Sequence, residues 1–276
     1  MKRRINSLVT VDLAFLFILA AAGSAADERI GNIIYYLAFI IPITIGIIYM
    51  RSFDCELYSD SEDRSGDIPP LGISITARNA LITLPIIAPT VAVICLISYL
   101  TGIVMSALGY VEPFVPEESF LYSVLMHALI PSVLEEMLFR YIPLGILRRN
   151  KKAAILISAV LFSLAHASLF QIPYAFAAGI VLASVSVMSG SIIPAIVIHF
   201  VNNLISLALS YGIGGAIFPS VCAVIAILSL IPIIIFRKTY IGVIKELFTG
   251  DRIKIERSII IYGGLSLFLA VSALFL

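Results

Sequence analysis

The stretch FLYSVLMHALIPSVLEEMLFRYIPLGIL, residues 120–147, is apolar almost throughout, yet two glutamates and an arginine lie in its second half. A run of this length can cross the hydrocarbon core of a bilayer as an α-helix, which needs about 20 residues. Ionisable side chains at that depth are costly and usually functional. The stretch therefore predicts a membrane helix with a chemical task at Glu135, Glu136 and Arg140.

The rest of the chain has a similar composition. Of its 276 residues, 61% are hydrophobic and 13% are charged, and the mean hydropathy is +1.09, whereas about 25% of the residues of a soluble protein are charged. The apolar runs are long and continuous, which favours helices over the alternating strands of a membrane barrel. We therefore predict an all-α polytopic membrane protein.

Two other classes of function are disfavoured. The net charge of +1 provides no basic field for nucleic acid, so no nucleic-acid partner is expected. The three cysteines are scattered outside any CxxC or Cys/His pattern, which disfavours a cysteine metal centre or a redox site.

The chain contains nine apolar runs that could span a membrane. No internal repeat divides it, so residues 1–276 are predicted to form a single integral membrane domain. The first 26 residues also resemble a secretory signal, although Asp12 weighs against cleavage; cleavage would leave eight spans. The runs are approximately 8–26, 31–50, 80–107, 119–147, 153–169, 173–188, 192–211, 215–236 and 258–276.

Basic residues collect at alternate ends of the predicted spans. They precede the first span, lie in the polar loop after the second (Arg51, Arg64, Arg78), form the cluster RRNKK at 148–152, and follow the eighth span. The loops at the opposite ends contain few bases. The positive-inside rule then places the N-terminus in the cytosol.

Helical geometry indicates which polar groups inside the spans lie on the same face of a helix. At 100° per residue, Glu136 and Arg140 are i,i+4 neighbours that can pair within one helix, whereas Glu135 points away from Arg140. The same i,i+4 spacing relates Phe162 to His166, and His199 to Asn203. The remaining histidine, His127, is interpreted as an interhelical hydrogen-bonding group.

These groups are predicted to lie at a similar depth in the membrane. Glu135 lies roughly 20 Å along its helix from the basic end at Arg148, and His166 lies roughly 21 Å from the same side. His199 and Asn203 lie roughly 14 and 20 Å into their helix from the turn at 188–191. The sequence therefore predicts a polar catalytic cavity inside the helical bundle.

The residue types suit hydrolysis of an amide bond. A carboxylate in an apolar pocket can serve as a general base for water, and imidazole and amide N–H groups can stabilise an oxyanion. Alternatively, Glu135, His166 and His199 could be three ligands of a zinc ion with an open position for water. A proton or ion path through a transporter would use similar groups.

Three motifs in order, EEMLFR (135–140), FSLAH (162–166) and HFVNN (199–203), resemble those of the CPBP family. This family comprises CAAX proteases and bacteriocin-processing enzymes, that is, type II CAAX prenyl endopeptidase-like intramembrane proteases. The resemblance covers about residues 120–210, within catalytic helices predicted at about 119–211. The short separation of the two histidine motifs is similar to the prokaryotic branch.

The resemblance implies that Glu135 activates water with His166 beside it, and that His199 and Asn203 stabilise the oxyanion. It assigns supporting roles to Glu136, Arg140 and Phe162. It favours hydrolysis without an obligatory metal, with zinc as the alternative cofactor.

We therefore expect an endopeptidase of a prokaryotic cell membrane that contacts membrane lipid and cuts a membrane-associated protein or peptide, including a prenylated CAAX-type substrate. The alternatives are a proton- or ion-coupled transporter and a non-catalytic membrane protein for bacteriocin self-immunity.

Overall fold

The computed structural model describes residues 1–23, 28–58, 68–72, most of 89–109, 119–169, 171–213, scattered positions between 217 and 245, and 256–272. The ordered elements in these ranges are helices, and strand pairing there is limited to one isolated bridge between Gly72 and Ser191. The predicted all-α class is confirmed. The helices are α1 (Lys2–Gly23), α2 (Glu28–Tyr58), α3 (Phe120–Ile146), α4 (Lys151–Ala165), α5 (Gln171–Ser189), α6 (Ile193–Ser210) and α7 (Arg257–Ser272).

Five of these helices, α1, α2, α3, α5 and α6, are long and apolar enough to cross a membrane. The chain is therefore an integral membrane protein. Much of the predicted spans 80–107 and 215–236 lies outside the described residues, although the positions that are described in both are helical. The count of eight or nine spans stays a prediction.

Two predicted boundaries are wrong. α2 continues to Tyr58, so Arg51 lies in a helix rather than in the following loop. The span predicted at 153–169 ends earlier, because α4 stops at Ala165 and His166 forms its C-terminal cap. Ala167 then has a φ of 44°, a left-handed conformation that ends the helix. His166 is consequently held at a turn, where a ring can face a cavity.

Helix α3 contains two wide π-turns, Val124–Leu129 and Met137–Tyr141. Each lies just before a proline, Pro131 or Pro143. Proline has no N–H to donate to the carbonyl four residues earlier, and local π-geometry is one way in which membrane helices accommodate it. The carbonyl that Pro143 cannot pair is that of Phe139, and the hydroxyl of Ser158 on α4 donates to it.

Several segments meet at one end of the bundle. The amide of Ile68 donates to the carbonyl of Arg148 at 2.9 Å, and the amide of Gly72 donates to Gly190 at 3.0 Å. The guanidinium of Arg4 donates to a carbonyl at the C-terminal end of α3 at 2.9 Å. We call this end, formed by the N-terminus, residues 68–72, 147–150 and 190–192, the basic face. The basic N-terminus and the basic segment 147–150 therefore lie at the same end of the bundle, as the loop charges predict.

Helices α4 and α5 approach each other closely at a glycine. A Cβ atom on Gly179 would lie 2.8 Å from the Cα of Ala159 and 3.0 Å from its Cβ. Small residues at such contacts allow membrane helices to pack backbone against backbone. Because α5 carries cavity residues at its N-terminal end, this contact helps to hold the cavity wall against α4.

Gly179→Ala is expected to destabilise the protein by about 1–3 kcal/mol, because the added methyl group meets a helix backbone that cannot rotate away. Thermal unfolding of the detergent-purified protein measures the effect. Gly264→Ala is the matched control, since a Cβ on this helical glycine meets no described residue within 4 Å, and alanine is the better helix former. Equal unfolding temperatures for the two variants would contradict the close α4–α5 contact.

Candidate functional site

A polar cavity of about 390 Å³ lies between α2, α3, α5 and α6, with the C-terminal end of α4 contributing one residue. It contains the four side chains that the sequence predicts to form a site, Glu135, His166, His199 and Asn203. Among the described residues, the lining comprises Tyr35, His127, Pro131, Glu135, His166, Gln171, Tyr174, His199, Asn203, Ser206, Leu207 and Ser210.

The two adjacent glutamates have different surroundings. Glu136 and Arg140 are fully buried, and Glu136 Oε1 lies 3.3 Å from Arg140 Nη1, which confirms the predicted i,i+4 pair. The same Oε1 accepts a hydrogen bond of 2.8 Å from Nδ1 of His199 on α6. None of the three guanidinium nitrogens of Arg140 has an aligned hydrogen bond among the described residues, so its contact with Glu136 is an ion pair.

Glu135 faces the cavity instead. Its side chain is 18% exposed, and its Oε2 lies 3.6 Å from Nε2 of His199, beyond direct hydrogen-bond distance. The imidazole of His199 thus lies between two carboxylates: Glu136 binds one nitrogen, and the other nitrogen is near Glu135. This arrangement leaves the Glu135 carboxylate beside a space that water can enter.

His166 is fixed by its own helix. Its Nδ1 lies 2.8 Å from the carbonyl oxygen of Phe162. A carbonyl can only accept, so Nδ1 carries the hydrogen, and the neutral ring presents Nε2 as its acceptor. The predicted Phe162–His166 spacing therefore corresponds to an i,i+4 bond from the imidazole to the main chain.

Phe162 also contacts the charged groups behind the cavity. Its ring lies 3.9 Å below the guanidinium carbon of Arg140, a cation–π contact. Its edge contacts reach His166 and His199, with ring centroids 4.7 and 5.6 Å away. These contacts join α3, α4 and α6 behind the cavity.

The amide of Asn203 is oriented by a residue that the sequence analysis missed. Asn203 Nδ2 donates to the hydroxyl of Ser132 at 3.3 Å, and Ser132 in turn donates to the carbonyl of Ala128 at 2.6 Å. The neighbouring Asn202 donates to Asn203 Oδ1 at 3.5 Å. With its oxygen and one N–H engaged, Asn203 retains a second N–H for the cavity.

Other lining residues were also missed. Ser206 and Ser210 continue the helical spacing of His199 and Asn203 along α6, so this signal was present in the sequence. Tyr35 and Tyr174 come from α2 and α5, which carry none of the three motifs, and only the packing of helices brings them to the cavity. His127, predicted to be an interhelical hydrogen-bonding group, also lies in the cavity wall.

Glu135, His166 and His199 are the candidate zinc ligands. The Nδ1 bonds of His166 and His199 are those that metal-binding histidines also make. However, no group of three His, Cys, Asp or Glu side chains among the described residues is placed to hold a metal ion.

Comparison with known proteins agrees with the three motifs. Residues 117–205 match the family model described as type II CAAX prenyl endopeptidase Rce1-like. No curated protein and no solved structure matches the chain. The matched segment contains α3, α4, α5 and most of α6, and with them Glu135, His166, His199 and Asn203. Over this segment, about a third of its length, the chain is similar to the type II CAAX prenyl endopeptidases.

Proposed function

We propose that this protein is an intramembrane endopeptidase that hydrolyses a peptide bond of a membrane-associated protein or peptide, with Glu135 as the base that activates water. The proposal rests on the different positions of the two glutamates. Glu135 is exposed to a polar cavity beside His199, whereas Glu136 contacts Arg140 and His199. We place it in a prokaryotic cell membrane with its N-terminus in the cytosol.

The first step removes a proton from water. Glu135 accepts the proton, and the water oxygen forms a bond to the carbonyl carbon of the substrate. Nε2 of His166, the acceptor of that ring, holds the other hydrogen of the water and directs its lone pair towards the carbonyl. Two groups on different helices thereby orient one molecule of water.

The second step stabilises the negative oxygen of the tetrahedral intermediate. The free N–H of Asn203 and the Nε2–H of His199 donate to it. His199 then carries hydrogens on both nitrogens, because its Nδ1 already donates to Glu136. The C–N bond breaks when Glu135 returns its proton to the leaving nitrogen, so one water is consumed and a new carboxyl and amino terminus form.

The charges of this arrangement balance. Glu135 and Glu136 contribute two negative charges, and Arg140 and protonated His199 contribute two positive ones. Unpaired charge in an apolar interior is strongly destabilising, whereas paired groups are tolerated. Oxyanion formation is then coupled to proton uptake by Glu135, and the net charge of the site is unchanged during the reaction.

Glu135→Gln is expected to abolish peptide cleavage while the protein inserts and purifies normally, because the amide has the same shape but cannot accept a proton from water. Release of a new N-terminus from a membrane-associated peptide in detergent measures it. Cleavage there needs no ion gradient, which separates the endopeptidase from a transporter. Wild-type turnover by Glu135→Gln would overturn the assignment.

Two further variants serve as controls for Glu135→Gln. Glu256→Gln makes the same chemical change far from the cavity and should keep full activity. Glu136→Gln leaves Arg140 buried without its counter-charge, so it should lower the free energy of unfolding by about 3–5 kcal/mol. Thermal unfolding therefore distinguishes the supporting glutamate from the catalytic one.

Asn203→Ala is expected to lower turnover by about a hundredfold or more, as loss of one oxyanion donor does. Asn202→Ala should have a much smaller effect, because Asn202 is not among the described residues that line the cavity with Glu135, and its Nδ2 donates to the oxygen of Asn203 at 3.5 Å. Steady-state rates of the two purified variants test the difference. If Asn202→Ala proves the more damaging, the donor to the oxyanion has been assigned to the wrong amide.

We propose further that cleavage needs no metal. Thorough chelation should leave turnover unchanged, and elemental analysis should show no stoichiometric metal in active protein. If Glu135, His166 and His199 instead bind zinc, the protein should contain about one equivalent, and chelation should stop turnover until metal is returned.

A further inference from the structure

The cavity is closed at one end and open at the other. Glu136, behind its inner end, is fully buried, and Glu135 is 18% exposed. His127, Ser206 and Ser210 are exposed. Exposure of the lining therefore increases from the glutamates towards these three residues, which mark the mouth.

The helices show which end of the protein the mouth is on. α6 begins beside the basic face, where the amide of Ile192 donates to the carbonyl of Gly72 at 3.1 Å. Ser210 is the last residue of α6, about 25 Å further along its axis. α3 runs in the opposite sense and ends at the basic face, and His127 lies in its N-terminal part. Both helices therefore place the mouth at the end opposite to the basic face.

Helix α5 indicates the same position for the mouth. α5 ends at Ser189, beside the turn at Gly190 that pairs with residues 68–72 of the basic face. Its cavity residues, Gln171 and Tyr174, lie in its first turn, at the other end. Membrane proteins keep their strongly basic short loops in the cytosol. The mouth is consequently on the side of the membrane away from the cytosol.

We infer that the cavity takes its substrate from the non-cytosolic side, and that the substrate is a segment of a membrane-associated peptide exposed on that side. The cleavage part of this inference rests on the proposed function, whereas the position of the mouth does not. A prenylated C-terminus in the cytosol would meet the closed, basic end of the bundle and is not the substrate of this protein.

The chemical groups that line the cavity suit an internal segment of a substrate peptide. None of the twelve described lining residues is a lysine or arginine, and Arg140 is buried behind the cavity against Glu136. The described part of the cavity wall therefore offers no cation to a terminal carboxylate. It offers hydroxyl, phenol, imidazole and amide groups, which hydrogen-bond the main chain of a peptide at any position along it.

Cysteine labelling in intact cells tests the position of the mouth. In a background with Cys55, Cys95 and Cys222 changed to serine, Ser210→Cys and Ser206→Cys report on the mouth, and Arg149→Cys reports on the basic face. A membrane-impermeant maleimide should label both mouth variants in intact cells, and Arg149→Cys only after the cells are opened. The reverse pattern, or labelling of all three in intact cells, would overturn the inference.

The substrate side is tested separately by comparing protein N-termini in cells that produce the wild type or Glu135→Gln. Termini that depend on Glu135 should map to segments outside the cytosol. Termini in cytosolic segments would overturn the inferred substrate while leaving the protease intact. The absence of any difference, with the expected labelling pattern, would count against the proposed function and leave the position of the mouth standing.

Discussion

The burial of the Arg140 guanidinium is the constraint on which the site depends. This group is fully enclosed, and an uncompensated charge in such surroundings is strongly destabilising. Glu136 supplies the counter-charge from the same helix, and Phe162 covers the guanidinium face from α4. Because Glu136 also binds His199, the same cluster fixes α6. The charge that is costly to bury thus determines how three helices are positioned.

The prolines of α3 have a related consequence. Pro143 has no N–H to donate to the carbonyl of Phe139. The hydroxyl of Ser158 on α4 donates to this carbonyl instead, so the missing bond within α3 is replaced by a bond between α3 and α4. In a bilayer, main-chain groups must find such partners within the protein. The tight contact of Gly179 with Ala159 then secures α5 on the other side of α4. Polar bonds and close backbone packing together hold α4 between its neighbours, although its own 15 residues are few for a membrane helix.

How much could be predicted depended on whether an interaction follows from spacing within one helix. The all-α class, the pairing of Glu136 with Arg140, and the common depth of Glu135, His166 and His199 all follow from hydrophobicity and the 3.6-residue period. The bond between Glu136 and His199 joins residues 63 positions apart, and nothing local encodes which nitrogen is bonded. The π-turns and the early end of α4 at His166 were missed because a uniform 100° per residue assumes an unbroken helix.

The residues of α6 show why the candidate site and the cavity that leads to it depend on the same rotation of this helix. His199, Asn203, Ser206 and Ser210 occupy one face of this helix, and all four line the cavity. A rotation of α6 by one residue would remove Asn203 from Ser132 and His199 from Glu136, and would turn the serines of the mouth towards apolar neighbours. Each of these losses leaves a polar group without its partner, which is unfavourable in an apolar bundle. The register that brings His199 and Asn203 to Glu135 is therefore also the register that lines the cavity with Ser206 and Ser210.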